Sequence, residues 1–90
     1  MNISKTTLNY AAKRGLELTI SEGADKDLVC IWEADNDCEW LCSYRLNTDS
    51  LSYNGNVYLP QNIKEELPGT ITSEKQLRLV LEYISTELAA

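Results

Sequence analysis

Residues 28–46 have the sequence LVCIWEADNDCEWLCSYRL, in which two stretches typical of β-strands flank a polar segment. Residues 28–32 are a nearly continuous apolar run, which predicts a central β-strand covered on both faces. Asp and Asn residues at positions 35–37 favour a turn. The chain then returns over residues 39–46, where alternate side chains share one face of a second strand: Trp40, Cys42, Tyr44 and Leu46. The stretch therefore predicts an antiparallel hairpin.

Further strands are predicted on either side of this hairpin. Residues 16–21 alternate apolar and polar side chains, the pattern of a strand with one solvated face, and a turn containing Gly23 follows them. Residues 51–59 contain Asn54-Gly55, a dipeptide that favours a two-residue hairpin turn. A single strand with a bulge at Gly55 fits the same residues.

Helices are predicted at both ends of the chain. Residues 4–14 form a short helix, with Ser4 or Thr6 as its cap and Gly15 at its C-terminal end. Ser73 and Gln76 have capping-box spacing and open a helix over residues 73–88. Its apolar side chains recur at helical spacing: Leu77, Val80, Leu81, Ile84 and Leu88.

These elements predict the α+β fold class. We expect one domain, residues 1–90, with a small antiparallel sheet of three to five strands, a short N-terminal helix and a C-terminal amphipathic helix packed on one face of the sheet. The hydrophobic fraction of 43% is typical of a globular chain. Neither a signal peptide nor a membrane-spanning stretch is recognisable, and the odd set of Cys30, Cys38 and Cys42 indicates reduced thiols. We therefore expect a cytoplasmic protein.

The residue types present argue against catalysis. The chain contains no histidine, which removes the commonest general base and the usual nucleophile pairs. Three cysteines without paired spacing do not suit zinc. Clustered carboxylates at residues 33–39 could hold calcium, but they lack the spacing of an EF-hand loop. They could also hydrolyse a glycoside, but a chain this small offers little room for a sugar groove. We predict no enzymatic activity, no metal and no cofactor.

The distribution of charge suggests a protein partner. The net charge is −6, and residues 17–39 contain eight acidic residues against the single base Lys26. Such a field repels nucleic acid and anionic membranes and attracts basic surfaces. We therefore predict partner-binding residues among the acids and two tyrosines: Asp25, Asp27, Glu33, Asp35, Asp37, Glu39, Tyr53 and Tyr58. An acidic strip that serves only solubility is the alternative. Trp32 and Trp40 are expected in the core.

In size, acidity and lack of motif, the chain resembles small inhibitors encoded by phages and mobile elements, including anti-CRISPR proteins and DNA mimics. The resemblance implies an inhibitor whose carboxylates take the place of phosphates on a basic nucleic-acid-binding surface; it transfers no individual residue. The alternative is a small interaction, assembly or immunity-type accessory protein, which includes a homodimer formed through an exposed strand edge. Binding by charge predicts weakening by salt, whereas assembly through an edge or aromatic patch predicts salt tolerance.

Overall fold

The computed structural model describes residues 2–23, 25–34, 40–56 and 59–89. Its elements follow the chain as α1 (Lys5–Lys13), β1 (Leu16–Ser21), β2 (Asp27–Glu33), β3 (Cys42–Leu46), β4 (Leu51–Asn56), α2 (Gln61–Lys64), β5 (Thr70–Ile71) and α3 (Glu74–Ala89). The strands form one antiparallel five-stranded sheet in the order β1-β2-β3-β4-β5. Helices α1 and α3 pack against this sheet, so the predicted α+β class is confirmed.

One face of the sheet forms the hydrophobic core. Paired residues of antiparallel strands point to the same face, and the pairs Leu18–Ile31, Val29–Tyr44 and Leu51–Ile71 are all buried there. The predicted stripe of α3 lies against them through Leu77, Val80, Leu81 and Ile84. Ala11 of α1 and Ile63 of α2 belong to the same cluster. All three described helices therefore cover this one face.

The opposite face, called here the open face, carries side chains that alternate with the core residues: Thr19, Leu28, Cys30, Trp32, Ser43 and Arg45. Within the described residues no helix lies over it, because each helix turns its buried side chains to the core face. Cys30 is buried there, whereas Leu28 and Trp32 are half-buried. β2 is an interior strand, and its middle residues Val29, Cys30 and Ile31 are all buried, so both faces are covered there as predicted. The helices, however, cover only one of these faces.

The returning strand begins later than its sequence pattern indicates. β3 starts at Cys42, and both Leu41 and Cys42 are buried in the core, so the alternation is interrupted between them. The N–H of Leu41 donates to the carbonyl of Ile31 at 2.7 Å. Trp40 lies before this irregularity and contacts the ring of Trp32, which is on the open face. The expectation that Trp40 shares a face with Cys42 and Tyr44 is therefore wrong.

The Asn54-Gly55 dipeptide does not make a hairpin turn. It lies inside the single strand β4, whose register with β3 shifts between Ser43 and Tyr44. Ser43 pairs with Gly55 while Tyr44 pairs with Tyr53, so Asn54 is the extra residue of a bulge. Its side chain donates to Oγ of Ser43 at 3.0 Å. The alternative of one strand with a bulge is confirmed.

The ends of α1 and α3 are joined by hydrogen bonds. Glu74, the first residue of α3, accepts the backbone N–H of Ser4 and the hydroxyl of Thr7 on one carboxylate oxygen, Oε1. Ser4 precedes α1 but makes no cap with its own side chain. At the other end of α1, Gly15 has a φ of 74°, the left-handed conformation that glycine adopts without strain. Both ends of α1 are therefore fixed.

The capping box of α3 is present in altered form. The N–H of Gln76 donates to Oγ of Ser73 at 3.2 Å, as predicted. The Gln76 side chain, however, accepts the N–H of Thr72 at 2.9 Å, one residue earlier than a standard capping box requires.

In the described residues no helix has both the length and the apolar character needed to cross a membrane.

Candidate protein-interaction surface

The described acids of the predicted site all lie on the β1–β2 hairpin. Asp25 is exposed in the turn between the strands, Asp27 opens β2 and is half-buried, and Glu33 ends β2 and is exposed. Because a strand rises about 3.3 Å per residue, Asp27 and Glu33 are about 20 Å apart. The hairpin therefore holds two acidic groups, one at each end. Asp35, Asp37, Glu39 and Tyr58 fall outside the described residues.

Two further acids complete these groups. Glu22 is exposed just after β1, three positions before Asp25, and Glu17 is exposed on the open face opposite Trp32. We call the five together the hairpin acids: Glu17, Glu22, Asp25, Asp27 and Glu33. None of their side chains makes a hydrogen bond or an ion pair with another described residue. Their charge is therefore not neutralised by the described part of the fold.

Glu74 shows the contrasting use of a carboxylate in this protein. The backbone N–H of Ser4 is the main cause that lowers its pKa, and Thr7 and Arg78 add to the effect. Glu82 likewise accepts the hydroxyl of Tyr10, at 3.4 Å. These carboxylates hold α1 against α3. The side chains of the hairpin acids make no such contact with other described residues.

The two ends of the hairpin differ in charge. At the turn end, Lys26 and Arg45 lie with Asp25 and Asp27 around a shallow depression of about 400 Å³. The ammonium of Lys26 is also held by the side-chain oxygen of Asn54 at 2.8 Å. Two bases therefore lie among the carboxylates at this end, although they form no ion pair with the described ones. Glu33 leads instead into a segment that adds three more carboxylates in sequence and no base.

Trp32 and Trp40 form an aromatic pair on the open face. Their ring centroids are 5.9 Å apart at an interplanar angle of 77°, an edge-to-face contact. The indole N–H of Trp32 donates to Oγ1 of Thr19 at 2.7 Å, which fixes the ring across β1. Both tryptophans are half-buried, and neither belongs to the core. The expectation that they form the core is therefore wrong.

The position of Trp32 beside acids makes it a candidate site residue that the sequence interpretation missed. Glu17 pairs with Trp32 across the ladder, and Glu33 follows it along β2. The sequence did contain a signal for this position. Side chains alternate between the two faces of a strand, so if Val29 and Ile31 face the core, Trp32 must face the other way. The described helices all cover the core face, which leaves Trp32 outside the core.

Tyr53 does not have the position expected of an exposed contact. Its ring meets Tyr44 edge-to-face at 5.3 Å, and it packs against the core from β4. Its backbone N–H donates to the carbonyl of Gly69 at 2.8 Å. Burial is the main cause that raises the pKa of its hydroxyl. Tyr53 is therefore directed to the interior and away from the hairpin acids.

The described thiols are poorly placed for chemistry. Cys30 and Cys42 are free and buried. Burial raises the pKa of Cys42 to about 12, with Cys30 nearby as a smaller cause. Burial also raises the pKa of Cys30, although the hydroxyl of Thr19 opposes this. Both thiols are therefore protonated at neutral pH and weakly nucleophilic. Among the described residues, no three acids, cysteines or histidines are grouped closely enough to hold a metal ion.

Comparison of the chain with known protein families, with curated proteins and with solved structures finds no match.

Proposed function

We propose that this chain is a non-catalytic protein-binding module whose acidic hairpin docks on a basic, nucleic-acid-binding surface of a target protein. The observation that carries the proposal is the set of hairpin acids, whose carboxylates have no partner among the described residues. Unpaired surface charge of one sign attracts a surface of the opposite sign over a Debye length, about 8 Å at physiological salt.

Trp32 supplies the second component that a specific interface needs. Charge steers association, but buried aromatic side chains provide much of the binding energy, and Trp is enriched among energetic hot spots. Trp32 is half-buried in the free chain, next to Glu17 and Glu33. Its ring is already fixed by Thr19, so binding costs little side-chain entropy. We place the contact at the Glu33 end of the hairpin, where bases do not offset the acids.

The consequence of such docking is inhibition. Carboxylates held on a rigid strand occupy positions where a basic cleft would otherwise bind phosphates, so target and nucleic acid compete. This is the mode of action of a DNA mimic or an anti-CRISPR-like inhibitor. It requires no catalytic group, no metal and no direct contact of this chain with nucleic acid.

A comparison of three baits tests the proposal. The wild-type chain, a Glu33-end variant (Glu33→Gln, Asp35→Asn, Asp37→Asn, Glu39→Gln) and a control variant (Asp49→Asn, Glu65→Gln, Glu66→Gln, Glu87→Gln) are immobilised separately. The control loses the same number of charges away from the hairpin. Each bait is incubated at low salt with nuclease-treated lysate of the cell in which the chain acts, and the bound proteins are identified by mass spectrometry.

We expect the wild type and the control to retain the same basic nucleic-acid-binding protein, and the Glu33-end variant to lose it. Recovery of the same partners by all three baits would contradict the proposal, as would recovery of none. In either case the acidic strip would serve solubility. A Trp32→Ala bait separates the two components, because it should weaken retention while leaving the net charge unchanged.

A further inference from the structure

The outer edge of β1 carries unpaired backbone groups. The carbonyl of Gly15 accepts the N–H of Ala34 at 2.9 Å, so these two residues form a hydrogen-bonded pair. Every second pair of an antiparallel ladder is hydrogen-bonded, which gives the direction of the backbone groups along β1. Glu17, Thr19 and Ser21 therefore direct their backbone groups toward β2. The remaining residues of β1 direct theirs away from the sheet: Leu16, Leu18 and Ile20. These outward groups have no hydrogen-bond partner among the described residues, and such an edge can pair with another strand.

An apolar groove runs beside this edge. A cavity of about 360 Å³ lies between α1 and β1, and the side chains around it are mostly apolar: Leu8, Ala12, Leu16, Glu17, Leu18 and Ala34. Leu8 is 40% exposed at its rim. Ile20, further along β1 on the same face as Leu16 and Leu18, is 51% exposed. The edge therefore presents an apolar groove and, a few residues away, an exposed apolar side chain.

A second copy of β1 matches this edge in one antiparallel register. All three outward residues are paired only when Leu18 faces Leu18 of the second copy, which places Leu16 opposite Ile20. Opposed side chains lie on the same face, so Ile20 of each copy enters beside Leu16 at the groove of the other. The exposed side chain and the groove are thus complementary under two-fold symmetry.

Charge is compatible with the same register. Glu17 faces Thr19 of the second copy, so no two carboxylates are directly opposed. Directly opposed carboxylates would destabilise the strand pair. The two chains still repel each other through their net charge of −6 each. Added salt screens that repulsion and should strengthen the pairing.

We infer that this protein forms a symmetric dimer in which two β1 strands pair antiparallel about Leu18, extending the sheet across both copies, with each Ile20 seated in the α1–β1 groove of the other. This goes beyond the proposed docking function. Trp32 and Glu33 lie on β2, away from the paired β1 strands, so a dimer would present two acidic hairpins.

Mass measurement tests the dimer. Light scattering on a sizing column should give twice the chain mass of 10.2 kDa for the wild type, moving toward the single mass on dilution. Ile20→Asp places a charge in each groove and should raise the dissociation constant at least about a hundredfold, since both symmetric sites are lost. Leu79→Asp, the matched control on α3, changes a residue that is 57% exposed and should leave the dimer intact.

A cross-link tests the register. In a variant lacking Cys38 and also Cys30, which is opposed to Thr19 within the chain, Glu17→Cys with Thr19→Cys places thiols on directly opposed positions of the two copies, where strand spacing suits a disulfide. Mild oxidation should give a covalent dimer. The pair Glu17→Cys with Ser21→Cys is opposed only if the register shifts by one pairing step, and it should cross-link poorly.

The proposal is overturned if the wild type has the single-chain mass at every concentration that stays in solution, or if Ile20→Asp dimerises like Leu79→Asp. Preferential cross-linking of positions 17 and 21 would overturn the register. Salt separates this inference from the docking function, because salt should strengthen the dimer and weaken acidic docking. Each proposal can therefore fail without the other.

Discussion

Trp32 is tied to Thr19 by a 2.7 Å hydrogen bond from its indole N–H, across the β1–β2 ladder on the open face. An aromatic side chain on a sheet face that no described helix covers is thereby held in one orientation. Glu17 lies opposite Trp32 and Glu33 next to it in the chain, so the fixed ring adjoins two unpaired carboxylates. This combination links the fold to the proposed function.

Thr19→Val should lower the free energy of unfolding by about 1 kcal/mol, because the Trp32 indole loses its acceptor while the β-branched shape is kept. Urea denaturation followed by tryptophan fluorescence measures the change. Thr86→Val, an exposed substitution on α3, is the control. Equal stability of the Thr19→Val variant and the wild type would mean that this hydrogen bond does not stabilise the fold.

Glu74→Gln should destabilise the protein at neutral pH and have little effect in acid. The pKa of Glu74 is lowered from its ordinary value of 4.5 by the N–H of Ser4, then by Thr7 and Arg78. A lowered pKa contributes stability above the ordinary value, and that stability is lost as the pH falls through the folded-state value. Thermal unfolding from neutral pH to below the folded-state pKa of Glu74 measures the loss of stability, with Glu66→Gln as control. If Glu74→Gln were still less stable than the wild type in acid, the effect would not come from the charge of Glu74.

Tyr44→Phe should lower the free energy of unfolding by about 1–3 kcal/mol. The Tyr44 hydroxyl donates to the carbonyl of Pro68 at 2.9 Å, and its loss leaves that acceptor unpaired. The ring itself is fully buried, and Phe preserves its packing. Chemical denaturation checks the value against Tyr83→Phe, whose hydroxyl makes no hydrogen bond within the described residues. If the two variants lost the same free energy of unfolding, the hydrogen bond from Tyr44 to Pro68 would not stabilise the fold.

Cys42 should resist alkylation in the folded protein, since burial raises its pKa to about 12 and little thiolate exists at neutral pH. Cys30 should also react slowly. Peptide mapping after a short iodoacetamide treatment, with and without denaturant, measures both sites. Rapid labelling of Cys42 without denaturant would show that β3 opens readily or that the thiol is activated.

The sequence predicted those elements whose pattern local chemistry decides. The strand over residues 16–21 and the C-terminal helix followed from the period of their apolar side chains. The left-handed Gly15 followed from its place after a helix. A bulge at Gly55 was one of two alternatives, because Asn-Gly suits both a bulge and a turn. Pairing with β3 decides for the bulge and makes Asn54 its extra residue.

The candidate site was harder to predict because it depends on which face each residue occupies. Trp32 and Trp40 suggest a core by composition, but the helices bury the other face of β2. Tyr53, with polar neighbours in sequence, faces the core from β4. Sequence order also grouped Asp25 and Asp27 with Glu33, although a strand separates them. The predicted roles of Asp35, Asp37, Glu39 and Tyr58 stay predictions.

Docking of the acidic hairpin on a basic surface can be tested by measuring the affinity for the captured target over a range of salt concentrations, with duplex DNA as competitor. We expect the affinity to fall steadily with salt and DNA to displace the chain, and we expect the variant lacking the charges of Glu33, Asp35, Asp37 and Glu39 to lose both effects. An affinity that is insensitive to salt, unaffected by DNA and equal for the variant would contradict it.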